Sequence, residues 1–295
     1  MSEASGDDAT RRYGPGDTIG AANEITAAKI TAAAALVRQG TTYQLAQVLE
    51  SSSPAQMWRY WKQSLLTDRV VAGRFLGANE QSFIEESVAG ALHSGTHMDG
   101  LAHIGIGPRT YNGFSYADIV AADGLTKLGI ESVPPIFTRG VLLDIPRARG
   151  LAELGPEDAV GAADLTAAMA AEDVTVGPGD VVLVHTGWGR YWGTDTRRYA
   201  ATEPGLDLSA AELLTSRRVT MVGADNWAVE VVAAEPGTMM FPVHQHCLTR
   251  YGCYLLENVR TEELAADGVW EFCCVVLPNR LKGASASMVS PLGLV

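Results

Sequence analysis

Hydrophobic residues along the chain fall into short continuous runs separated by polar and glycine-rich segments. Four of these runs are GVLLDI, DVVLVH, VTMVGAD and CCVVLP. Runs of this length without strict apolar and polar alternation are typical of strands covered on both faces. They predict a sheet whose central strands are buried between other layers of the fold.

Alanine-rich segments between these runs have the composition of helices. NEITAAKITAAAALVRQG predicts a helix with Thr26 as its N-cap and Gly40 at its C-terminal end, and TTYQLAQVL predicts the strand that follows. Two later segments, AADLTAAMAAEDVTVGPGDVVLVHTG and DLSAAELLTSRRVTMVGAD, each predict a helix and then a strand. In the second, Ser209 and Glu212 have the spacing of a capping box. This order of elements predicts an α/β fold.

The chain of 295 residues contains neither an internal repeat nor a low-complexity linker. Its length is within the range that one large α/β domain can fill. We therefore expect one domain over residues 13–295, preceded by a flexible polar N-terminus at residues 1–12.

Composition narrows the class of protein. The chain is 47% hydrophobic and 19% charged, which is near the average for soluble globular proteins. It has no apolar run of the ~20 residues that span a bilayer and no apolar segment of a signal peptide at its start, so we expect a cytoplasmic protein without a membrane partner. The four cysteines form no CxxC pair and predict reduced core thiols. A net charge of -12 without a basic run argues against nucleic acid as a partner.

The segment HSGTHMDGLAH, residues 93–103, contains three of the six histidines and an aspartate. On a helix, Asp99 would point ~240° away from His93 at ~100° per residue, so a helix cannot gather these groups. On a strand, residues at odd positions share one face. The four side chains at odd positions are those of His93, His97, Asp99 and His103.

An extended strand cannot by itself bring these groups to one ion. His97 would lie ~13 Å beyond His93 at ~3.3 Å per residue, whereas ligands bind one ion at ~2.0 to 2.2 Å. Gly95 and Gly100 allow the chain to bend, because glycine adopts backbone angles closed to other residues. Imidazole and carboxylate ligands suit Zn, Mn or Fe(II) and leave positions open for water and substrate. The pattern predicts a catalytic metal site, and the alternative is a loop of exposed histidines.

The same segment resembles the H-x-G-T-H-x-D-x-P-x-H signature of the cyclase-like metal hydrolases, the family of bacterial kynurenine formamidase and isatin hydrolase. RYGPGDTIGAANEIT, HTGW, VGADNWAVE and HQHCLTRYGCYLLENV resemble further family segments in the same order, so the resemblance covers about residues 13–290. It implies a swivelling β/β/α fold with a mixed sheet and hydrolysis of a C–N amide bond at a Mn or Zn centre. Leu101 replaces the proline of the signature and Tyr13 a tryptophan of the N-terminal pattern, and neither change removes a ligand.

The resemblance also assigns roles. His93, His97 and Asp99 match the metal ligands of the family, and His103 matches the histidine that acts as general base or acid. An imidazole outside the coordination shell titrates near neutral pH and can transfer a proton, which agrees with that role for His103. The implied cofactor is one divalent ion, Mn or Zn, with a second ion as an open alternative.

A second pair of residues lies late in the chain. His244 and Glu257 resemble a late His and Glu that complete a second metal site in some members of the family and contact substrate in others. His246 crowds the same segment and is the alternative functional histidine. His185 ends an apolar run at a position where α/β folds often carry functional groups, and a histidine at the rim of the core is the alternative.

Other candidates are weaker. Asp225 follows the run VTMVG and is expected either to support the metal ligands or to cap a helix. Two aromatic clusters, MWRYW and WGRYW, offer rings that could wall a pocket for a flat substrate or pack a subunit interface. The pocket-wall candidates are Trp58, Trp61, Trp188 and Trp192. The first cluster favours an interface, which predicts a homo-oligomer, a dimer or tetramer.

Together these features predict a metal-dependent amidohydrolase that acts on a small amide, imide or formamide. A lactone hydrolase or a biosynthetic cyclase or dehydratase would use the same ion. A non-catalytic protein that binds a small ligand is the alternative from another class, although a binder has no need of His103 beside a metal.

Overall fold

Nine strands form one mixed sheet within residues 12–56, 58–66, 72–232 and 239–295, which the computed structural model describes. Apart from Arg12, the predicted flexible N-terminus lies outside the described residues. The other six strands of the described residues form three two-stranded ladders, β2 with β3, β5 with β6 and β8 with β10. In chain order all fifteen strands are β1 (Thr42–Gln44), β2 (Trp61–Leu65), β3 (Glu86–Gly90), β4 (His97–Asp99), β5 (Val120–Ala121), β6 (Gly124–Leu125), β7 (Ile136–Asp144), β8 (Ala159–Val160), β9 (Val181–His185), β10 (Gly205–Leu206), β11 (Met221–Ala224), β12 (Tyr254–Glu257), β13 (Glu271–Val276), β14 (Ala286–Met288) and β15 (Leu292–Leu294).

Helices surround this sheet in the described part of the chain. They are α1 (Ala27–Ala34), α2 (Tyr116–Ile119), α3 (Ile145–Arg149), α4 (Ala162–Ala171), α5 (Thr196–Ala201), α6 (Leu208–Ser216), α7 (Pro242–His244) and α8 (Glu262–Asp267), with a π-helix at Gln245–Tyr251 and 3₁₀ turns at Gly20–Glu24, Tyr111–Gly113, Ile130–Ser132 and Trp188–Tyr191. None of the helices in the described ranges has the length and apolar character needed to cross a bilayer.

The large sheet has the strand order β1-β15-β13-β7-β9-β11-β12-β4-β14. Its centre is parallel, from β7 through β9 and β11 to β12, and its outer strands are antiparallel. All five residues of β9 and all four of β11 are buried. The continuous apolar runs therefore form covered central strands, as predicted, and the mixed α/β fold class is confirmed.

The parallel centre determines where polar groups collect. Four parallel strands run in one direction, so their carboxyl ends meet at one edge of the sheet. Asp144, His185 and Glu257 end β7, β9 and β12, and Asp225 follows β11 directly. All four side chains are buried at that edge.

Two predicted boundaries are wrong. Thr26 caps α1 by accepting a hydrogen bond from Lys29 N, as expected, but the helix ends at Ala34, well before Gly40. The next three amides still bond to carbonyls of the last helical turn, but Gln39 N donates to Val295 O beside the last strand, so the chain has left the helix before Gly40. The predicted strand TTYQLAQVL is short for a similar reason: β1 covers three residues, and Gln47 N then donates to the Thr96 hydroxyl.

The predicted capping box is also wrong. Asp207 is the N-cap of α6, and its carboxylate accepts a hydrogen bond from Ala210 N. Ser209 lies inside the first turn, where its hydroxyl donates to Asp207 instead of capping the helix. A carboxylate is favoured at this end because it compensates the positive end of the helix dipole.

The four cysteines are buried and unpaired, which agrees with the prediction of reduced core thiols.

Candidate metal centre

The short strand β4 brings a histidine and an aspartate onto one face of the sheet. His97 and Asp99 alternate with Met98, so both point to the same side. On the neighbouring strand β12, Glu257 lies directly opposite His97. Directly paired residues of antiparallel strands have neighbouring side chains. The sheet register therefore places the late glutamate beside the central residues of the histidine segment.

Turns on either side of β4 bring in the other two histidines. β4 covers His97–Asp99 alone, so His93 and His103 lie outside the strand. Gly95 has φ +63, which turns the chain between His93 and the strand. After the strand, His103 N donates to Gly100 O in a second turn. The predicted bends at the two glycines are therefore present and carry His93 and His103 back towards Asp99.

The resulting cluster is compact and centred on Asp99. His93 Nδ1 lies 2.8 Å from Asp99 Oδ1, and His97 Nε2 lies 3.5 Å from the same oxygen. His103 Nε2 is 3.8 Å from Asp99 Oδ2. His97 Nε2 is also 3.0 Å from Glu257 Oε2. Two overlapping triads have donor atoms within 4.8 Å of one another: His93, Asp99 and His103, and His97, Asp99 and Glu257.

Four atoms of this cluster are buried and have no aligned hydrogen-bond partner among the described residues. They are His93 Nδ1, His97 Nε2, Asp99 Oδ1 and Asp99 Oδ2. The short His93 to Asp99 distance does not satisfy hydrogen-bond geometry, so the two atoms converge on common space instead of bonding to each other. Buried polar atoms are rarely left without partners. Nitrogen and carboxylate oxygen atoms that converge in this way are the donor set of a divalent transition metal.

Hydrogen bonds behind the cluster orient its histidines. His97 Nδ1 donates to Gly95 O at 2.9 Å, which leaves Nε2 with its lone pair directed at Asp99 and Glu257. Asn258 Nδ2 donates to the same carbonyl and holds the turn in place. Metal-binding histidines commonly have such a partner on the second ring nitrogen.

His244 joins the cluster and His246 does not. His244 Nε2 lies 3.1 Å from Glu257 Oε1 and 3.6 Å from Asp99 Oδ2, while its Nδ1 bonds to Glu230. His246 points away from the cluster, where its Nε2 meets the Thr215 hydroxyl at 2.8 Å. The two histidines occupy different faces because a helix separates residues two apart by ~200°. The structure therefore favours His244 over the alternative.

The charges of the cluster set its protonation. Burial would raise the pKa of Asp99, but His103 and His93 hold it well below its usual range. At His97 burial alone would lower the pKa, but the carboxylate of Glu257 raises it above its usual value. At His103 burial dominates and lowers the pKa to about 4, against the attraction of Asp99. At neutral pH Asp99 is ionised and His103 is neutral, which are the states that a metal ligand or a general base requires.

Asp225 and His185 form a separate polar group. Asp225 accepts hydrogen bonds from the Thr186 amide and hydroxyl and from the amides of Gly187 and Gly189, and it lies 3.3 Å from His185 Nδ1. His185 Nδ1 also lies 2.7 Å from the Thr261 hydroxyl. Among the described residues Asp225 has no hydrogen bond or ion pair with His93, His97 or Asp99. It holds the turn of the HTGW segment instead.

The four tryptophans proposed as pocket walls do not share one cavity. Trp188 is 1% exposed and its Nε1 donates to Tyr199 O, so its ring belongs to the core. Trp192 Nε1 donates to Val48 O, and Trp58 is 79% exposed. Trp61 starts the exposed strand β2. The tryptophan that lines a cleft together with His93 is Trp227, which is not among the four predicted ones.

Sequence reasoning also missed the residues that support the ligands. Glu230 accepts hydrogen bonds from the backbone amides of Val243 and His244, and its carboxylate also contacts Nδ1 of the His244 ring. Glu230 and Trp227 both lie in the segment VGADNWAVE, and Asn258 follows Glu257 in the segment LENV. The segments were recognised, but the partners of these side chains depend on tertiary contacts.

Comparison with known proteins places this geometry in a family. The family model described as "Putative cyclase" matches residues 23–231, more than half of the chain. The chain belongs to the Cyclase family. No curated protein matches the sequence significantly.

Solved structures support the same relationship. A crystal structure described as a novel cyclase has a TM-score of 0.88 and 29% identity, and the match covers 98% of this chain and 99% of that one. Isatin hydrolase A from Ralstonia solanacearum has a TM-score of 0.64 and 18% identity over 86% of this chain and 92% of its own. A predicted metal-dependent hydrolase from Bacillus stearothermophilus has a TM-score of 0.55 and 18% identity over 87% of this chain and 98% of its own. The likeness at 18% identity establishes the fold that the Cyclase family shares with metal-dependent hydrolases.

Proposed function

We propose that the chain is a metal-dependent hydrolase that cleaves a C–N bond of a small amide, imide or formamide. The observation that carries the proposal is the set of four buried, unpartnered ligand atoms of His93, His97 and Asp99. Family membership and the fold shared with isatin hydrolase support the same reaction class.

The residues fit one divalent ion, Mn or Zn. His93, His97 and Asp99 would hold it, with Glu257 and His244 close enough to contribute to a second site. When bound, such an ion lowers the pKa of a coordinated water towards ~7 and polarises a carbonyl group. Burying these nitrogen and oxygen atoms away from water costs free energy. A bound ion between them would offset that cost.

His103 is the residue we assign to proton transfer. Its ring packs on His93 with centroids 3.9 Å apart, and its side chain is 18% exposed, more than that of His97 or Asp99. A neutral imidazole at the exposed side of the cluster can take a proton from the attacking water and give it to the leaving nitrogen. Asp99, 3.8 Å from Nε2, would stabilise the imidazolium between those two transfers.

Metal content and a hydrolysis screen test the proposal together. We expect protein purified without chelator to contain at least one equivalent of Mn or Zn per chain and to hydrolyse members of a panel of formamides, simple amides and cyclic imides. Formamides and simple amides would release an amine, and a cyclic imide would open to an amic acid. Lactones of matched shape belong in the same panel, because a lactone hydrolase would share this site. A metal-loaded protein that binds panel compounds but cleaves none would favour the non-catalytic binding protein.

We also propose that the chain is a homo-oligomer. The arm, residues 58–66 and 72–90, contains the β2 and β3 hairpin and exposes Trp58, Leu65 and Val88 by more than half. An exposed apolar patch of this kind is typical of protein interfaces. Met57 of the MWRYW cluster lies outside the described residues. Sedimentation at micromolar concentration tests the proposal, and a monomer would contradict it.

A further inference from the structure

Asn258 lies where the two segments that carry the candidate ligands meet. The pairing of β12 with β4 places Glu257 opposite His97, and Asn258 is the first residue after β12. Its side chain is buried, and its φ of +56 is in the left-handed region that few residues other than glycine adopt. Asparagine tolerates this conformation better than most side chains, so it can end the strand here.

Four hydrogen bonds hold Asn258 in place. Its Nδ2 donates to Gly95 O at 2.9 Å, and its Oδ1 accepts from the Tyr199 hydroxyl at 2.7 Å. Its backbone carbonyl accepts from the Thr96 hydroxyl at 2.6 Å, and its amide donates to Asn226 O at 2.7 Å. Two of the four bonds end in the histidine segment, so Asn258 ties the end of β12 to the turn that precedes β4.

The carbonyl of Gly95 connects these bonds to the candidate ligands. It accepts from Asn258 Nδ2 and also from His97 Nδ1, each at 2.9 Å. Donation from Nδ1 leaves the Nε2 lone pair of His97 for an ion. Gly95, with φ +63, also turns the chain that leads from His93. A displacement of this one peptide would therefore move both histidines.

An amide side chain satisfies both neighbours of Asn258. Gly95 O requires a donor, and the fully buried Tyr199 hydroxyl requires an acceptor. The other acceptor near that hydroxyl, Asp225 O, is 3.4 Å away. An asparagine offers a donor and an acceptor together, whereas a carboxylate offers acceptors alone and an aliphatic chain offers neither. The residue type thus matches the task of holding the Gly95 carbonyl.

We propose that Asn258 is a positioning residue of the metal centre, which holds the Gly95 carbonyl and through it the His93 and His97 rings in the geometry that binds an ion. This inference rests on the ligand set of the proposed hydrolase. Tyr199 acts through Asn258, because its hydroxyl fixes the plane of the amide.

Asn258→Gly removes the side-chain bonds alone. Glycine adopts φ +56 without strain, so the backbone bonds to Thr96 and Asn226 can remain. We expect the affinity for Mn or Zn, measured by chelator competition on folded protein, to fall by roughly 10- to 100-fold, the usual effect of losing a group that orients metal ligands. Co(II) bound in place of these ions should show a changed visible absorption spectrum, because that spectrum follows the coordination geometry.

Asn226→Ala is the matched control. Asn226 is also fully buried, and its side chain donates to Pro204 O and accepts from Val229 N. Within the described residues this side chain makes no hydrogen bond with the histidine segment. We expect both variants to lower Tm, and only Asn258→Gly to lower metal affinity and change the Co(II) spectrum. Equal losses of affinity in the two variants would mean that Asn258 only stabilises the fold, which overturns the proposal.

Tyr199→Phe tests the link through the amide. It removes the hydroxyl alone, and we expect a smaller loss of metal affinity than in Asn258→Gly, because the amide can still reach Gly95 O. Added to Asn258→Gly, it should cause no further loss, since the two groups act in series. A full additional loss in the double variant would overturn the action of Tyr199 through Asn258.

Metal binding requires no turnover, so this inference and the hydrolase proposal can fail separately. Equal metal affinity in wild type and Asn258→Gly refutes the role of Asn258 even if amides are cleaved. Affinity that depends on Asn258, without hydrolysis of any compound of the panel, refutes the hydrolase proposal alone. A wild type that binds no metal refutes both.

Discussion

The central strand β9 and the arm hairpin differ in both pairing and surroundings. β9 pairs in parallel with both of its neighbours, whereas β2 and β3 pair antiparallel. Every side chain of β9 is buried, whereas every side chain of β3 is exposed and β2 is only partly covered. An isolated two-stranded hairpin is marginally stable in water, because it lacks a covered apolar face. Burial therefore stabilises the sheet and fixes the cluster at its edge, while Trp58, Leu65 and Val88 of the arm stay more than half exposed.

The largest effect should come from the ligands on β4. His97→Ala or Asp99→Ala removes one of the buried ligand atoms at the edge of the large sheet, and we expect loss of tight metal binding. Metal analysis of the purified variants measures it. His246→Ala is the matched control because His246 lies outside the cluster and should leave metal content unchanged. A full equivalent of tightly bound ion in both site variants contradicts the assignment.

His103→Ala tests the group at the exposed side of the same cluster. We expect kcat to fall by roughly 10² to 10⁴, the usual contribution of positioned acid–base catalysis, with the metal retained. Metal content, Tm and kcat are measured on one preparation. Because His103 lies within ligand distance in the triad with His93 and Asp99, a loss of metal would make it a ligand instead. Unchanged kcat at full metal content would refute proton transfer.

Leucine truncation compares the two regions directly. Leu183 in β9 is fully buried and Leu65 in β2 is 58% exposed. Leu183→Ala should lower the free energy of unfolding by about 2 to 5 kcal/mol, because it leaves a cavity. Leu65→Ala should change it by about 0.5 kcal/mol or less at concentrations where the protein is monomeric. Urea unfolding of both variants measures the difference, and comparable losses would mean that the arm packs on the rest of the chain.

A buried carboxyl at the same sheet edge should give the smallest effect. Burial raises the pKa of Glu172 to about 7, and its Oε2 has no partner. A folded-state pKa above the usual value means that the folded state holds the extra proton, so this contribution to stability is present at low pH and is lost as pH rises from about 4.5 to 7.

Glu172→Gln mimics the protonated form and should remove that loss. We expect the variant to be more stable than the wild type by about 1 to 3 kcal/mol at pH 8 and nearly equal to it at pH 4.5. Unfolding at both pH values measures it, with Glu212→Gln, exposed on α6, as the control for loss of one charge. A difference that does not depend on pH would contradict the pKa of Glu172.

The sequence was most informative where burial and periodicity act together. The apolar runs predicted β7, β9, β11 and β13, and the odd spacing of His97 and Asp99 predicted their common face. The arm was not predicted, because the aromatic residues of MWRYW look like a loop and strand pairing between Trp61 and Gly90 is a tertiary property. Helix ends were missed where an amide found a distant partner, as Gln39 does with Val295.

For the site, the quoted family segments contain the candidate ligands but do not indicate which residues hold them in place. Spacing alone could not choose between His244 and His246, since only the packing of the π-helix decides which ring faces Asp99. Glu230 bonds to His244, 14 residues later, and Asn258 bonds to Gly95, 163 residues earlier, so no local pattern marks them.

The position of β4 in the sheet has a consequence for how the chain folds during synthesis. Its two neighbours, β12 and β14, come from residues 254–288, so the histidine segment leaves the ribosome long before either strand exists. Contacts between such distant segments form late, because closing the intervening loop costs chain entropy first. We therefore expect the nascent chain to carry unpaired imidazoles through most of its synthesis, and the candidate metal cluster to be complete only after the segment from Tyr254 onward has docked.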